Sequence, residues 1–246
     1  MKRILIAALL VALSGSRNLA QTVEPAESHA FELTPVAPPT PALKYQLLFD
    51  NAADRKPGNA AILYLQSILL MGPETKQNAQ QALEAYNSGD LDAFRSLADS
   101  LGNENFFDEL DLAGRREDCD WQPPIRERGV ETLLPHLEPL RHGVAKAIKV
   151  RALRQIEQGQ VEDALVTLRL GYELGDKIGT EPVLVSALVS VSTTGAMNDA
   201  LTHAMNRPES PSLYWALAEM PSSRRIFRRA YDGERRFLLA SVPNLA

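Results

Sequence analysis

The sequence predicts an all-α fold, an array of antiparallel helical hairpins with no substantial sheet. Three observations predict it. Apolar residues recur at spacings of three and four through most of the 246 residues. Turns bearing glycine or proline separate these periodic stretches. No two alternating runs joined by a tight turn form a convincing strand–turn–strand unit. The length fits one or two domains and is long enough to bury a core without covalent staples. A single cysteine, Cys119, excludes an intrachain disulfide framework and any cysteine-based zinc cluster.

Residues 1–20 carry Lys2 and Arg3, then ten apolar residues, then small ones, which is the layout of a secretory signal. Ten apolar residues cover about half of a ~30 Å hydrocarbon core, so a spanning anchor is not expected. No cysteine follows the run, which argues against a lipoprotein anchor. Residues 21–41 hold five prolines and no periodicity, an extended tether. Residues 42–246 then form a single α-helical domain. Export is expected, to the periplasm or cell envelope. Loss of residues 1–20 removes three basic residues and no acidic one, taking the formal charge from −5 to −8. Residues 222–246 hold six arginines against Asp232 and Glu234, leaving −12 on the rest. An acidic protein is a poor general binder of nucleic acid.

Helix signals dominate from residue 42. Pro57, Gly58 and Asn59 end one segment and cap the dense apolar run 60–71. Gly72-Pro73 stops that run, and a polar-faced helix covers 74–86. A turn at 87–90 makes Asp90 the N-cap of a helix over 91–101. Between residues 114 and 129 the pattern lapses around two adjacent prolines, and an irregular crossover between helical layers is expected. Leu133, Leu137, Leu140, Val144 and Ile148 make an apolar stripe. The prolines at 135 and 139 are tolerated if the regular helix begins near Pro139. After Gly159, Val161, Ala164, Leu165, Leu168 and Tyr172 form the next stripe. Leu184, Leu188, Val191 and Gly195 continue at helical spacing, though VLVSALVSVS also carries a period-two component that a strand would use. The five hydroxyl residues between 182 and 197 (Ser186, Ser190, Ser192, Thr193 and Thr194) favour a buried helix over a membrane span. Pro208 and Pro211 precede two last helices, over 213–220 and 223–240.

Gln158-Gly159-Gln160-Val161-Glu162-Asp163-Ala164-Leu165 resembles the turn and second-helix start of a tetratricopeptide repeat. There a glycine turns the chain and a small alanine lets helices approach closely. Leu168 and Gly171 also match, whereas Ile148, Arg151, Ala152 and Gln155 depart from the pattern. Ser88-Gly89-Asp90-Leu91-Asp92-Ala93-Phe94 is a weaker echo, its alanine one residue early. The resemblance implies tetratricopeptide-like α-α layers. Across most of the chain, PVAPPTPALKYQLL, PGNAAILYL, RREDCDW, LLPHLEPLR, SLYWAL and GERRFLLASVP follow in an order that resembles a set of uncharacterised exported helical proteins of planctomycete bacteria. That resemblance implies an exported α-helical fold and carries no activity.

Two regions are candidate binding sites. The first is RREDCDW, residues 115–121, with Asp118, Cys119, Asp120 and Trp121. Acidic neighbours raise a thiol's pKa and thin its thiolate, so Cys119 is a poor nucleophile. Three adjacent carboxylates do not converge on one ion without a special loop. The competing reading is a buried cysteine and a packed tryptophan pinning the crossover, the acids paired to Arg115, Arg116 or Arg126. The second region is the basic terminal helix, with Arg224, Arg228 and Arg235 along one face and Arg225, Arg229 and Arg236 beside it. Arg228, Arg229, Arg235 and Arg236 are its candidate contacts for an anionic surface or acidic partner. The competing reading pairs them with the acidic body.

His136 and His142 are six apart, about 240° round a helix, so they are not a metal-binding pair. No nucleophile elbow, phosphate loop, dinucleotide fingerprint or calcium loop occurs. No catalytic residue, metal or cofactor is therefore assigned. The expected function is a non-catalytic interaction or scaffold protein with a protein partner. The alternatives are a hydrolase whose histidines or carboxylates (His136, His142, His203, Asp118, Asp120) converge in a groove, and an envelope-binding module using the basic helix.

Overall fold

Asn59 ties the start of the helical body to the crossover. Its side-chain oxygen accepts from Ala61 N at 3.0 Å, capping the first helix, and from Asp120 N at 2.9 Å. Its amide also donates to Asp120 O at 2.7 Å. The structure, a computed structural model, describes residues 45–49, 53–102, 104–124 and 134–241. The expected signal (1–20), the tether (21–41), part of the crossover (125–129) and Leu133 of the expected apolar stripe lie outside the described residues.

The fold is all-α apart from one small parallel ladder. Strands β1 (Lys56–Asn59) and β2 (Arg116–Asp118) pair with Lys56 opposite Arg116 and Asn59 opposite Asp118. The sequence reading placed both segments in turns or irregular crossover. They are too short to alternate, and side-chain bonds to their carbonyls hold them, one from within the ladder and one from outside it. Arg116 donates to Pro57 O at 2.7 Å, and Lys177 to Arg116 O at 2.6 Å. Residues 45–49, within the region expected to be helical, are not helical.

Helix α1 spans Ala60–Ser88 with a break at Gly72, whose φ of 66° and ψ of 164° are not helical. The expected stop at Gly72-Pro73 is thus a sharp kink between two helical halves. Gly89, at φ 80°, turns the chain into α2 (Leu91–Asp99), where Asp90 accepts from Ala93 N at 3.1 Å as the expected N-cap. Helix α3 (Glu104–Gly114) adds Phe106, Phe107, Leu110 and Ala113 to the core.

Helix α4 (Leu134–Pro139) runs through a π turn, Leu140–Val144, into α5 (Ala145–Glu157). Regular α-helix therefore does not begin at Pro139. Pro139 has no N–H to donate, and its ring crowds the carbonyl four residues back. The chain widens just after it, and Ala145 N bonds Leu140 O, five residues back. Leu137, Leu140, Val144 and Ile148 are all buried. Gly143, in the wide turn, packs on Met71 so closely that an added Cβ would lie 3.0 Å or less from its thioether.

Gly159, at φ 77°, makes the turn from α5 to α6 (Val161–Ile178), and the two helices pack side by side. The expected stripe Val161, Ala164, Leu165, Leu168, Tyr172 is buried throughout. Helix α6 is buried on most of its circumference because α3, α5 and α7 (Leu184–Met205) all lie against it.

Residues 184–192 are helical, which removes the strand alternative. Here the expected buried face is wrong. Leu184 and Leu188 are 43% and 59% exposed, while Ser186, Ser190, Thr193 and Met197 are buried. Small residues let α7 close tightly on α6. Ser190 donates to Gly175 O at 2.6 Å, and a Cβ on Gly175 would stand 2.7 Å from Thr194 Oγ1. Close approach and a satisfied hydroxyl outweigh burial of two leucines. Helices α8 (Tyr214–Ala218) and α9 (Ser223–Ser241) complete the described chain.

Candidate functional site

The crossover cluster is built on α6. Glu173 is fully buried, and its carboxylate accepts from Phe49 N at 2.5 Å and pairs with Arg55 at 3.4 Å. Burial raises its pKa, against the pull of the Phe49 N–H and the Arg55 charge. One turn on, Lys177 donates to the carbonyls of Arg116 and Glu117 at 2.6 and 3.1 Å, and burial lowers its pKa. Thr180 donates to Cys119 O at 3.2 Å. One face of α6 thus fastens strand β2 and the residues after it through buried polar groups.

Within that frame Cys119 is half-buried and free. Its thiol is pushed up to about 12, first by burial and then by the charges of Glu181, Asp120 and Asp176, against Lys177. The sequence reading credited the acidic neighbours alone, whereas desolvation is the larger cause. Trp121 donates its indole N–H to Lys177 O at 3.4 Å. Its ring lies parallel to His136 at 4.8 Å and to Tyr64 at 6.0 Å. Burial lowers the pKa of His136 and raises that of Tyr64. Tyr64 Oη and His136 Nε2 have no hydrogen-bond partner among the described residues.

Asp118 and Asp120 are exposed, and the expected pairing of these acids with Arg115 and Arg116 is absent among the described residues. Arg115 instead grips Asp111 at 2.6 Å and Asp54 at 3.6 Å, because Asp111 lies one helical turn back on α3. Arg116 is taken by the carbonyl of Pro57. Arg126 lies outside the described residues.

Helix α9 is docked by a narrow stripe of Ile226, Ala230, Gly233 and Phe237, at spacings of four, three and four. Ala230 is fully buried, Ile226 touches the Gly179 position, and Gly233 lies directly on Pro182. Glu234 accepts from Leu184 N at 3.1 Å. Its negative charge thereby caps α7, whose own N-cap residue, Val183, supplies no side-chain bond. The opposite face carries Arg224, Arg225, Arg228, Arg229, Arg235 and Arg236, all exposed. The expected internal pairing of these arginines with the acidic body fails. None of the six forms an ion pair among the described residues, where Glu173, Glu157, Asp111, Asp199 and Asp99 of the body are matched to Arg55, Arg95, Arg115, Lys149 and Arg154.

Three grooves are described. One of about 200 Å³ is largely apolar and lies among Leu48, Tyr172, Val191, Met220 and Ile226. A second, of about 260 Å³, gathers Arg225, Arg228, Arg229 and Arg236 around Asp232. The third, also about 260 Å³, holds Arg141, His142, Lys146 and Lys149. None of these grooves holds two of His136, His142, His203, Asp118 and Asp120, so they do not assemble the hydrolase constellation named from sequence. His203 sits edge-on to Tyr86 at 5.6 Å. No three metal-binding side chains converge among the described residues.

The sequence reading missed the Arg55–Glu173–Lys177 network and the third groove. Both had a signal. Glu173 and Lys177, four apart, sit on a helix otherwise buried by apolar residues, and His142, Lys146 and Lys149 follow helical spacing. No described helix is long and apolar enough to cross a membrane. Compared with protein-family models, with curated proteins and with solved structures, the chain matches none of them.

Proposed function

We propose that the protein is an exported, non-catalytic interaction protein of the periplasm or cell envelope, in which the helical body presents α9 to an acidic protein partner. One observation carries this reading. Six exposed arginines occupy one helix of a net acidic chain, with no ion-pair partner among the described residues. Like charges left together cost stability that internal pairing would remove, so an external counter-charge is the physical use of such a face. Exposed Tyr214, Trp215, Phe227 and Tyr231 on α8 and α9 add the aromatic component typical of interface anchors. The half-buried setting of Cys119 and the packing of Trp121 against Tyr64 and His136 support a structural role for the crossover. The tetratricopeptide-like turn at Gly159 agrees with a scaffold, and the resemblance to exported planctomycete proteins agrees with export.

A second reading is favoured by exposed Phe227 beside the arginines and exposed Leu184 and Leu188 on α7. A basic helix flanked by apolar side chains suits an anionic envelope surface. The test is titration with a labelled oligoglutamate peptide and, separately, with phosphatidylglycerol vesicles, at low and high salt. The proposal predicts salt-sensitive peptide binding, abolished when Arg228, Arg229, Arg235 and Arg236 are all replaced by Gln. Vesicle binding without peptide binding selects the second reading. Binding unchanged in the variant rejects both.

A further inference from the structure

The groove beside the π turn is a second cationic site, separate from α9. Arg141 and His142 come from the wide turn itself, and Lys146 and Lys149 from the next turns of α5. Ser192 and Thr193 of α7 supply the facing wall. π turns are rare in helices and occur disproportionately at functional sites. No carboxylate lines the groove, unlike the arginine groove on α9, which contains Asp232.

The nearby acids leave most of this charge uncompensated. Lys149 pairs with Asp199 at 3.1 Å, and Glu138 pairs with Lys76 at 3.3 Å. Lys146 donates to the neutral amide oxygen of Gln80, which itself donates to Glu84. Arg141 is exposed and has no acid partner among the described residues. Burial, then the charges of Lys146 and Arg141, lowers the pKa of His142, and burial, with Arg141 and Lys76 against Glu84, lowers that of Lys146.

A separate observation points into the same place. Thr193 is only 1% exposed, and its hydroxyl has no hydrogen-bond partner among the described residues. In a helix interior that hydroxyl usually bonds the carbonyl four residues back. A buried hydroxyl left without a partner is destabilising, and a ligand oxygen would supply the missing bond.

We propose that this groove binds a phosphate group, with Arg141, Lys146 and Lys149 as counter-charges and Ser192 and Thr193 as hydroxyl contacts. A carboxylate offers one charge and two oxygens, and leaves most of these donors unused. A phosphate carries a charge of about −1.5 to −2 and at least three acceptor oxygens, which match converging cations and hydroxyls. The volume of about 260 Å³ is below the ~300 Å³ at which drug-sized pockets begin, and suits a phosphate or a small phosphomonoester. The group can arrive as free inorganic phosphate or as the phosphomonoester headgroup of a lipid.

Calorimetric titration of the full chain with sodium phosphate tests this, with sodium sulfate and sodium acetate at matched ionic strength. One phosphate per chain is expected, bound more tightly than either comparator. Charge-assisted hydrogen bonds are each worth about 1.5–3 kcal/mol, so Arg141→Gln and Lys146→Gln should each weaken binding about tenfold or more. Thr193→Val should weaken it by a smaller factor. Arg141 is exposed, so its variant folds whatever the others do. No phosphate binding at millimolar concentration, equal binding of sulfate or acetate, or indifference to Arg141→Gln would overturn the proposal. Sedimentation with phosphatidylcholine vesicles containing phosphatidic acid identifies the source. It is run in the chain lacking Arg228, Arg229, Arg235 and Arg236, so that α9 does not contribute. Binding lost on Lys146→Gln assigns the lipid headgroup, and phosphate binding without vesicle binding assigns the free ion.

Discussion

Replacing Gly233 with alanine should lift α9 off the body. A Cβ built at Gly233 would stand 1.9 Å from Pro182 O, 2.5 Å from Pro182 Cβ and 2.7 Å from Pro182 C. These are backbone and ring atoms, so no rotamer change relieves the overlap. Reaching the ordinary contact distance of 3.4 Å requires a local shift of about 1.5 Å. That shift stretches the 3.1 Å bond from Leu184 N to Glu234 and opens the fully buried contact of Ala230. Overpacking of this kind costs about 1–3 kcal/mol, and loss of the cap costs about 1 kcal/mol. Alanine returns about 1 kcal/mol through its better helix propensity. The net expectation is about 1–3 kcal/mol of local destabilisation. Native-state hydrogen exchange reads it as roughly 5- to 150-fold faster exchange confined to α9 and the first turn of α7. Unchanged exchange there, or exchange that speeds equally in α5 and α6, would refute the docking geometry.

Glu181 is buried, with a pKa raised by burial from 4.5 to about 7 and Ser186 Oγ donating to it at 3.3 Å. The folded state therefore holds a proton that the unfolded chain releases, so stability falls as pH rises from about 4.5 through 7. Glu181→Gln should be more stable than the parent at pH 8, by up to about 3 kcal/mol, and indistinguishable near pH 4 in urea unfolding. A constant difference across that range would contradict it. With its thiol at about 12, Cys119 should react with a disulfide reagent at pH 8 roughly a thousandfold more slowly folded than in guanidinium. Equal rates would place the thiol in solvent. Glu173→Ala should cost about 3–5 kcal/mol, because it strands Arg55 and the Phe49 N–H. Glu173→Gln, which keeps the acceptor, should cost clearly less, and equal losses by thermal unfolding would argue against the hydrogen-bonding role.

The helical class, the caps at Asn59 and Asp90 and the turns at Gly89 and Gly159 were legible because each is local. A side-chain oxygen reaches backbone two or three residues on, and a glycine takes a positive φ. The buried faces of residues 137–148 and 161–172 were legible because one apolar stripe met one core. The face of α7 was not. Which side of that helix is buried depends on how closely α6 approaches, and Gly171 and Gly175 on α6 set that distance, not the leucines of α7. The π turn was hidden for a similar reason, since a stripe at spacings of three and four looks the same with one widened turn.

The two candidate sites divide along the same line. The exposure of the terminal arginines follows from the amphipathic pattern of α9 itself. Their lack of carboxylate partners depends on where distant acids settle, and net charge misled there. The body is acidic, yet among the described residues none of its acids lies within ion-pair distance of these arginines, and several are engaged with the body's own cations. At the crossover, Trp121 was expected to pack, but its neighbours Tyr64, His136 and Lys177 come from three separate parts of the chain. The groove at Arg141 also needed the fold, because Ser192 and Thr193 reach it from another helix.

The central claim is that the arginine face of α9 is the working surface of the protein. Affinity capture from gently solubilised envelope fractions tests it most directly, using residues 21–246 alongside the variant with Arg228, Arg229, Arg235 and Arg236 replaced by Gln. The account predicts a discrete acidic protein retained by the parent, released by moderate salt and missing from the variant. Recovery of no partner by either chain, or of the same partner by both, would contradict it.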